Sequence, residues 1–268
     1  MAISPPNPFD QQQAIPNVKH VLAVSAGKGG VGKSTVATNL ALALSKKFKV
    51  GLLDADIYGP SIPRMLGALN QKPTVTSDNK IEPLTRFGMK LMSIGFLIDE
   101  NSAVVWRGPM LFKAMDQFFR DVKWGELDYL VIDLPPGTGD IQLTMAQKIV
   151  VSGAIAVSTP QNVALADVKK ALDMWKRTNV PVLGVVENMS HMVLPGTTEK
   201  IQLFPKGDLD SYLVAQKLLK LGEIPFNPHL SLASEAGIPI VESNPSGVEA
   251  QAFFDIARKI AELLPVTC

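Results

Sequence analysis

Between an apolar run at 18–25 and a helical pattern at 33–47, the chain carries Gly27-Lys28-Gly29-Gly30-Val31-Gly32-Lys33-Ser34-Thr35. Glycines at this density let the backbone curl so that successive N–H groups converge on one anion, and a helix opening at Lys33 adds its positive dipole end. Gly27-xxxx-Gly32-Lys33-Ser34 is the Walker A spacing, set between a strand and a helix as that motif requires. It predicts a cradle for the phosphates of ATP built from residues 27–35. Lys33 is expected to reach the β- and γ-phosphates and Ser34 to ligate Mg²⁺. Lys28 is not needed for a simple cradle. The loop alone leaves it open between a solvated charge and a functional one.

The remaining pattern agrees with that junction. Apolar runs at 18–25, 50–54, 129–134, 154–158 and 180–187 are nearly continuous Val, Ile, Leu and Ala. Strands covered on both faces read this way, whereas half-exposed strands alternate. Helical patterns separate the runs at 33–47, from Pro109 to about 121, at 163–177 and at 247–264. Strand–helix alternation predicts an α/β fold, a single doubly wound, mostly parallel sheet flanked by helices. Residues 1–17, rich in Pro and Gln, read as a flexible tail, and 18–268 as one P-loop ATPase domain. The stretches 66–90 and 190–207 read as surface excursions.

Further nucleotide contacts follow from position. The strand at 129–133 ends in Asp133, the Walker B pattern, and that carboxylate is expected to hold Mg²⁺. Pro135-Pro136-Gly137-Thr138-Gly139-Asp140 follows as a turn suited to sensing a γ-phosphate. Asp54 and Asp56 lie at the end of another strand, where open α/β sheets bind ligands. Asp56 is suited to orient the attacking water, because phosphoryl transfer depends chiefly on a positioned nucleophile.

Composition excludes several classes. A net charge of +1 gives no basic field for nucleic acid. No apolar run reaches the roughly 18–20 residues of a membrane span, and the first 16 residues do not read as a signal or transit peptide. The one cysteine, Cys268, permits no intrachain disulfide, so a reducing, cytoplasmic setting is expected. His20, His191 and His229 are not at ligand spacing from one another and read as structural. The apolar stripe Phe253, Ile256, Ile260 and Leu263 reads as core rather than a membrane face.

Taken together, the Lys28-bearing Walker A loop, Asp54-Ala55-Asp56-Ile57-Tyr58-Gly59-Pro60-Ser61, Trp106-Arg107-Gly108-Pro109-Met110, the run 132–140 and Glu187-Asn188-Met189-Ser190 resemble the Mrp/ApbC family. These are MinD/ParA-class ATPases that act as iron–sulfur cluster carriers, and the resemblance spans about residues 15–264. It implies ATP hydrolysis by a homodimer, assembly or client proteins as partners, and no nucleic acid or membrane. It implies that Lys28 reaches the partner subunit's nucleotide, that Asp56 activates water and that Asn188 reads the adenine edge. It also implies an iron–sulfur cluster held by Cys-x-x-Cys shortly after Glu187-Asn188-Met189-Ser190. Here Leu194 and Thr197 stand at those places, so thiolate ligation in the family manner lacks its ligands. The alternative from another class is a MinD/ParA-like, ATP-switched positioning or scaffold protein without a cluster. Trp106 and Arg107 receive no physical role beyond a loop ahead of a helix.

Overall fold

The computed structural model describes residues 12–97, 108–137, 139–194, 196–197 and 199–266. Trp106, Arg107, Thr138 and Cys268, singled out above, lie outside the described residues. The central sheet has eight strands. They are β1 (Val18–Ala26), β2 (Val50–Asp54), β3 (Leu84–Arg86), β4 (Met89–Ser93), β5 (Leu127–Asp133), β6 (Gly153–Ser158), β7 (Val182–Asn188) and β8 (Lys220–Ile224). Their spatial order is β8-β7-β6-β1-β5-β2-β4-β3, and only the β3–β4 edge pair is antiparallel. The sheet is flanked by α1 (Lys33–Ser45), α2 (Gly108–Arg120), α3 (Asp140–Lys148), α4 (Asn162–Arg177), α5 (Leu209–Gln216), α6 (Pro228–Glu235) and α7 (Val248–Leu263). This is the doubly wound α/β architecture that the apolar runs imply.

Both faces of the sheet are covered. Ala156 and Val185 point into a cluster with Leu165, Val168 and Leu172 of α4 and Leu209 and Leu213 of α5. Their chain neighbours Val157 and Val186 belong to the main core, shared with α1 and α7, as side chains alternate along a strand. Burial on two faces is why β1, β2, β5 and β6 carry no polar alternation. Phe253, Ile256 and Ile260 of α7 are buried in that core, while Leu263 stays 40% exposed.

Three strands, β3, β4 and β8, and three of the named helices, α3, α5 and α6, escaped the sequence pattern. The stretch 66–90, expected to be an irregular excursion, contributes β3 and the start of β4 to the sheet. Met89-Lys90-Leu91-Met92-Ser93 is too short and mixed to stand out. Strand β8, Lys220-Leu221-Gly222-Glu223-Ile224, lies at the other edge, where one flank lacks a neighbour and polar residues are tolerated. Helices α5 and α6, eight residues each, have weak apolar periodicity. The stretch 190–207 carries a small hairpin, Met192–Val193 against Lys200–Ile201. The described part of the expected N-terminal tail packs on the domain. The Gln13 N–H donates to Lys148 O at 2.9 Å, and Ile15 is 3% exposed.

A charged hub ties β7, β8 and α5 together. Lys220 Nζ lies 2.6 Å from Glu187, 2.5 Å from Asp210 and 2.7 Å from Glu223. Burial alone would lower the Lys220 pKa, but the hydrogen bonds to Asp210, Glu187 and Glu223 outweigh it and hold the group above the usual lysine value. Lys220→Met strands the buried Glu187 carboxylate. It is expected to cost about 2 kcal/mol in chemical denaturation, less than for a fully buried pair because Lys220 is 21% exposed, with nucleotide affinity unchanged.

Candidate active site

Strands β1, β2, β4 and β5 end on one edge of the sheet, and the register sets Ser93, Asp54 and Asp133 side by side there. The loop after β1 faces this row. Gly30 (φ 79°) and Gly32 (φ 81°) occupy the left-handed region that glycine adopts without cost. A Cβ on Gly32 would sit 2.2 Å from Asn188 Nδ2, and one on Gly27 2.1 Å from the Asp167 carbonyl carbon of α4. Gly32→Ala is therefore expected to strain the loop and displace Asn188. The cost is about 1–3 kcal/mol, read as a lower Tm together with weakened nucleotide binding.

Lys33 opens α1 and is 6% exposed. Its Nζ lies 2.6 Å from Asp133 Oδ1, 3.4 Å from Asp56 Oδ2 and 3.3 Å from Ser34 Oγ. A cleft of about 230 Å³ opens here, lined among others by Lys28, Ser34, Thr35, Asp56 and Pro136. Lys28 forms no ion pair among the described residues. Asp133 is fully buried, and its Oδ2 has no hydrogen-bond partner among the described residues. Burial raises its pKa, while the Lys33 ammonium and the Ser34 hydroxyl oppose the rise. A buried, anionic oxygen without a donor, beside a serine hydroxyl, suits a hard, hydrated cation such as Mg²⁺.

The two aspartates after β2 have different settings. The strand ends at Asp54, so alternation does not carry through to Asp56. Asp54 is wholly buried and spends its carboxylate on the chain itself. Its Oδ1 accepts from Asp56 N at 3.2 Å, and its Oδ2 accepts from Ser93 Oγ at 2.9 Å and Ile62 N at 3.3 Å. Burial, then the neighbouring Asp133, pushes Asp54 up to about 8. Asp56, 8% exposed, lines the cleft.

Asn188, at the end of β7, donates Nδ2 to Val31 O at 2.8 Å. Its amide thus clamps the glycine loop. Two further residues eluded sequence reasoning. Gln142, 1% exposed in the first turn of α3, donates Nε2 to Pro135 O (2.9 Å) and Gly137 O (2.5 Å), pinning the turn after β5. Ser93 is, among the described residues, the only side-chain donor to Asp54. Neither carries a spacing signal, since register and turn geometry alone bring them in.

Positions 194 and 197 end one tight turn. Thr197 N donates to Leu194 O at 3.1 Å, and Thr197 Oγ1 to the same oxygen at 3.1 Å. The turn would bring two thiols together, but its side chains are leucine and threonine. Among the described residues no group of three or more His, Cys, Asp or Glu could hold a metal ion. Two histidine rings are engaged structurally: His20 stacks on Tyr129, and His191 Nδ1 meets Ser190 Oγ at 2.9 Å.

A glycine loop and lysine opening a helix, facing an acid at the end of the adjacent strand in a doubly wound sheet, define a P-loop NTPase. The family model described as ParA, NUBPL iron-transfer P-loop NTPase, matches residues 17–261, and the chain belongs to that family. It is 49% identical to an iron–sulfur cluster carrier protein of Aquifex aeolicus, over 96% of this chain and 71% of the relative. Among solved structures, it is similar to a nucleotide-binding protein from Archaeoglobus fulgidus in complex with ADP. That match has 40% identity and a TM-score of 0.76, over 90% of this chain and 93% of that one. The cell division ATPase MinD of Pyrococcus furiosus matches at 23% identity and a TM-score of 0.67, over 91% and 99% of the two chains, a likeness of fold alone.

Proposed function

We propose that the protein is an ATP-hydrolysing homodimer of the iron–sulfur cluster carrier type, acting in cluster assembly or transfer. The observation that carries this reading is a complete Walker A and B site in a chain 49% identical, over 96% of its length, to a cluster carrier. The positioning-ATPase alternative rests on fold likeness alone. No helix among the described residues is long and apolar enough to cross a membrane. A reducing, cytoplasmic setting suits a chain with one cysteine.

In this reading the backbone N–H groups of residues 27–35 and the N-terminus of α1 bind the phosphates. Lys33 exchanges its two carboxylates for β- and γ-phosphate oxygens. Ser34 and Asp133 would hold Mg²⁺, which supplies charge neutralisation at the phosphates. Asp56 orients water for in-line attack on the γ-phosphorus, giving ADP and phosphate. Asn188 has one of its two N–H groups engaged by Val31 O, which leaves the other N–H and Oδ1 to donate to and accept from the adenine edge. Lys28, which forms no ion pair among the described residues, reaches across the dimer to the partner's nucleotide.

The cluster is cargo here, and this chain does not furnish its family ligands. Two copies of one cysteine give two thiolates, whereas a [4Fe–4S] cluster takes four. The missing thiolates therefore belong to the protein that hands over or receives the cluster. Anaerobic purification with iron and sulfide analysis, with and without ATP, tests this. The expected result is iron and sulfide only in fractions that hold a co-purified partner, with ATP changing their retention. Absence of iron and cluster absorbance in every fraction contradicts the carrier role, and a stable cluster on the isolated chain contradicts the ligand accounting.

A further inference from the structure

We infer that Ser93 is a positioning residue for hydrolysis, acting through Asp54 to hold the Asp56 carboxylate in the cleft. The inference rests on the reading of Asp56 as the group that orients water. Asp56 stands two residues beyond the end of β2, on a loop running to the helical turn Ile62–Met65. Its carboxylate has two contacts of its own, with Lys33 at 3.4 Å and with Tyr58 N at 3.2 Å. The first is lost when Lys33 turns to phosphate. The loop is then held by the Tyr58 N bond to Asp56, by Ala55 N donating to Asp133 O at 2.9 Å, and by the Asp54 carboxylate, which grips it at both ends through Asp56 N and Ile62 N.

Asp54 is itself aimed by Ser93. The Ser93 hydroxyl, wholly buried, donates to Asp54 Oδ2 at 2.9 Å, the shortest of the three bonds to that carboxylate. Ser93 Oγ also accepts from Gly95 N at 2.9 Å, which fixes the hydroxyl's direction. Gly95 in turn lies under the loop, since a Cβ there would come within 3.1 Å of Pro60. One hydroxyl therefore couples β4, the turn after it and the carboxylate that spans the Asp56 loop. Without it, Asp54 Oδ2 keeps only the longer Ile62 bond and is free to rotate, carrying Asp56 N with it. Displacement of an attacking-water group by about 1 Å is enough to cost up to a hundredfold in rate.

The test measures phosphate release and calorimetric ATP binding, with Mg²⁺, for the full chain and for Ser93→Ala, Ser93→Thr, Asp56→Ala and the Asp56→Ala/Ser93→Ala double variant. Ser93→Ala is expected to lower kcat at least about tenfold while the Kd for ATP stays within about threefold, and Ser93→Thr, which keeps the hydroxyl, to restore most of the rate. In the Asp56→Ala background the serine change is expected to alter residual hydrolysis by less than about twofold, because its route of action is already gone. Full kcat in folded Ser93→Ala overturns the inference. So does a parallel loss of kcat and affinity, or an independent tenfold loss in the double variant. Should Ser93→Ala not fold, Ser93→Cys, with similar volume and a weak donor, is expected to show the same split. Failure of the underlying ATPase reading is distinct: it appears as absent hydrolysis in the unmodified protein.

Discussion

Lys33→Ala is expected to lower ATP affinity at least about a hundredfold and to abolish hydrolysis. The ammonium is the one cation inside the phosphate cradle that is also packed between Asp133 and Asp56. Charge-assisted bonds to phosphate are worth about 1.5–3 kcal/mol each. Their loss is compounded, because two carboxylates then face the incoming phosphates without the ammonium between them. Titration calorimetry with Mg-ATP reads the affinity, and phosphate release reads the turnover. Retention of tight binding would assign the cradle's affinity to the backbone N–H groups alone.

Asp56→Ala is expected to separate binding from turnover. Affinity for ATP should remain within about threefold, while hydrolysis falls by about 10²–10⁴, the usual contribution of a group that positions or deprotonates a nucleophile. Asp56 lines the cleft, and its carboxylate makes only the longer contacts to Tyr58 N at 3.2 Å and Lys33 at 3.4 Å, while its backbone N–H makes the bond to Asp54. If the dimer forms around ATP, this variant should accumulate as a dimer in size-exclusion chromatography with ATP and revert with ADP. Wild-type turnover in Asp56→Ala would move the role to another group.

The central strands and the phosphate loop were legible because burial on both faces and anion binding each force a residue pattern. A strand with neighbours on all sides must be apolar throughout, and a backbone curled around phosphate must be glycine-rich. Strand β4, second from one edge, and the edge strand β8 meet weaker demands, so Lys90, Glu223 and Gly222 blur them. Ile15 reveals the docked N-terminal segment only once Gln13 is seen bonded to Lys148. Asp133 and Asp56 could be named from the sequence, yet their difference from Asp54 could not. It depends on where β2 stops and on Ser93, which parallel register places beside Asp54 from 39 residues away. Gln142 and the second role of Asn188 likewise arise from backbone carbonyls that no side-chain pattern marks.

Calorimetric titration of the purified chain with ATP, in the presence and absence of Mg²⁺, bears most directly on the whole account. Saturable binding near one nucleotide per chain, tightened by Mg²⁺ and lost in Lys33→Ala, is the expected outcome. A chain that takes up no ATP at millimolar nucleotide with Mg²⁺ present would contradict it.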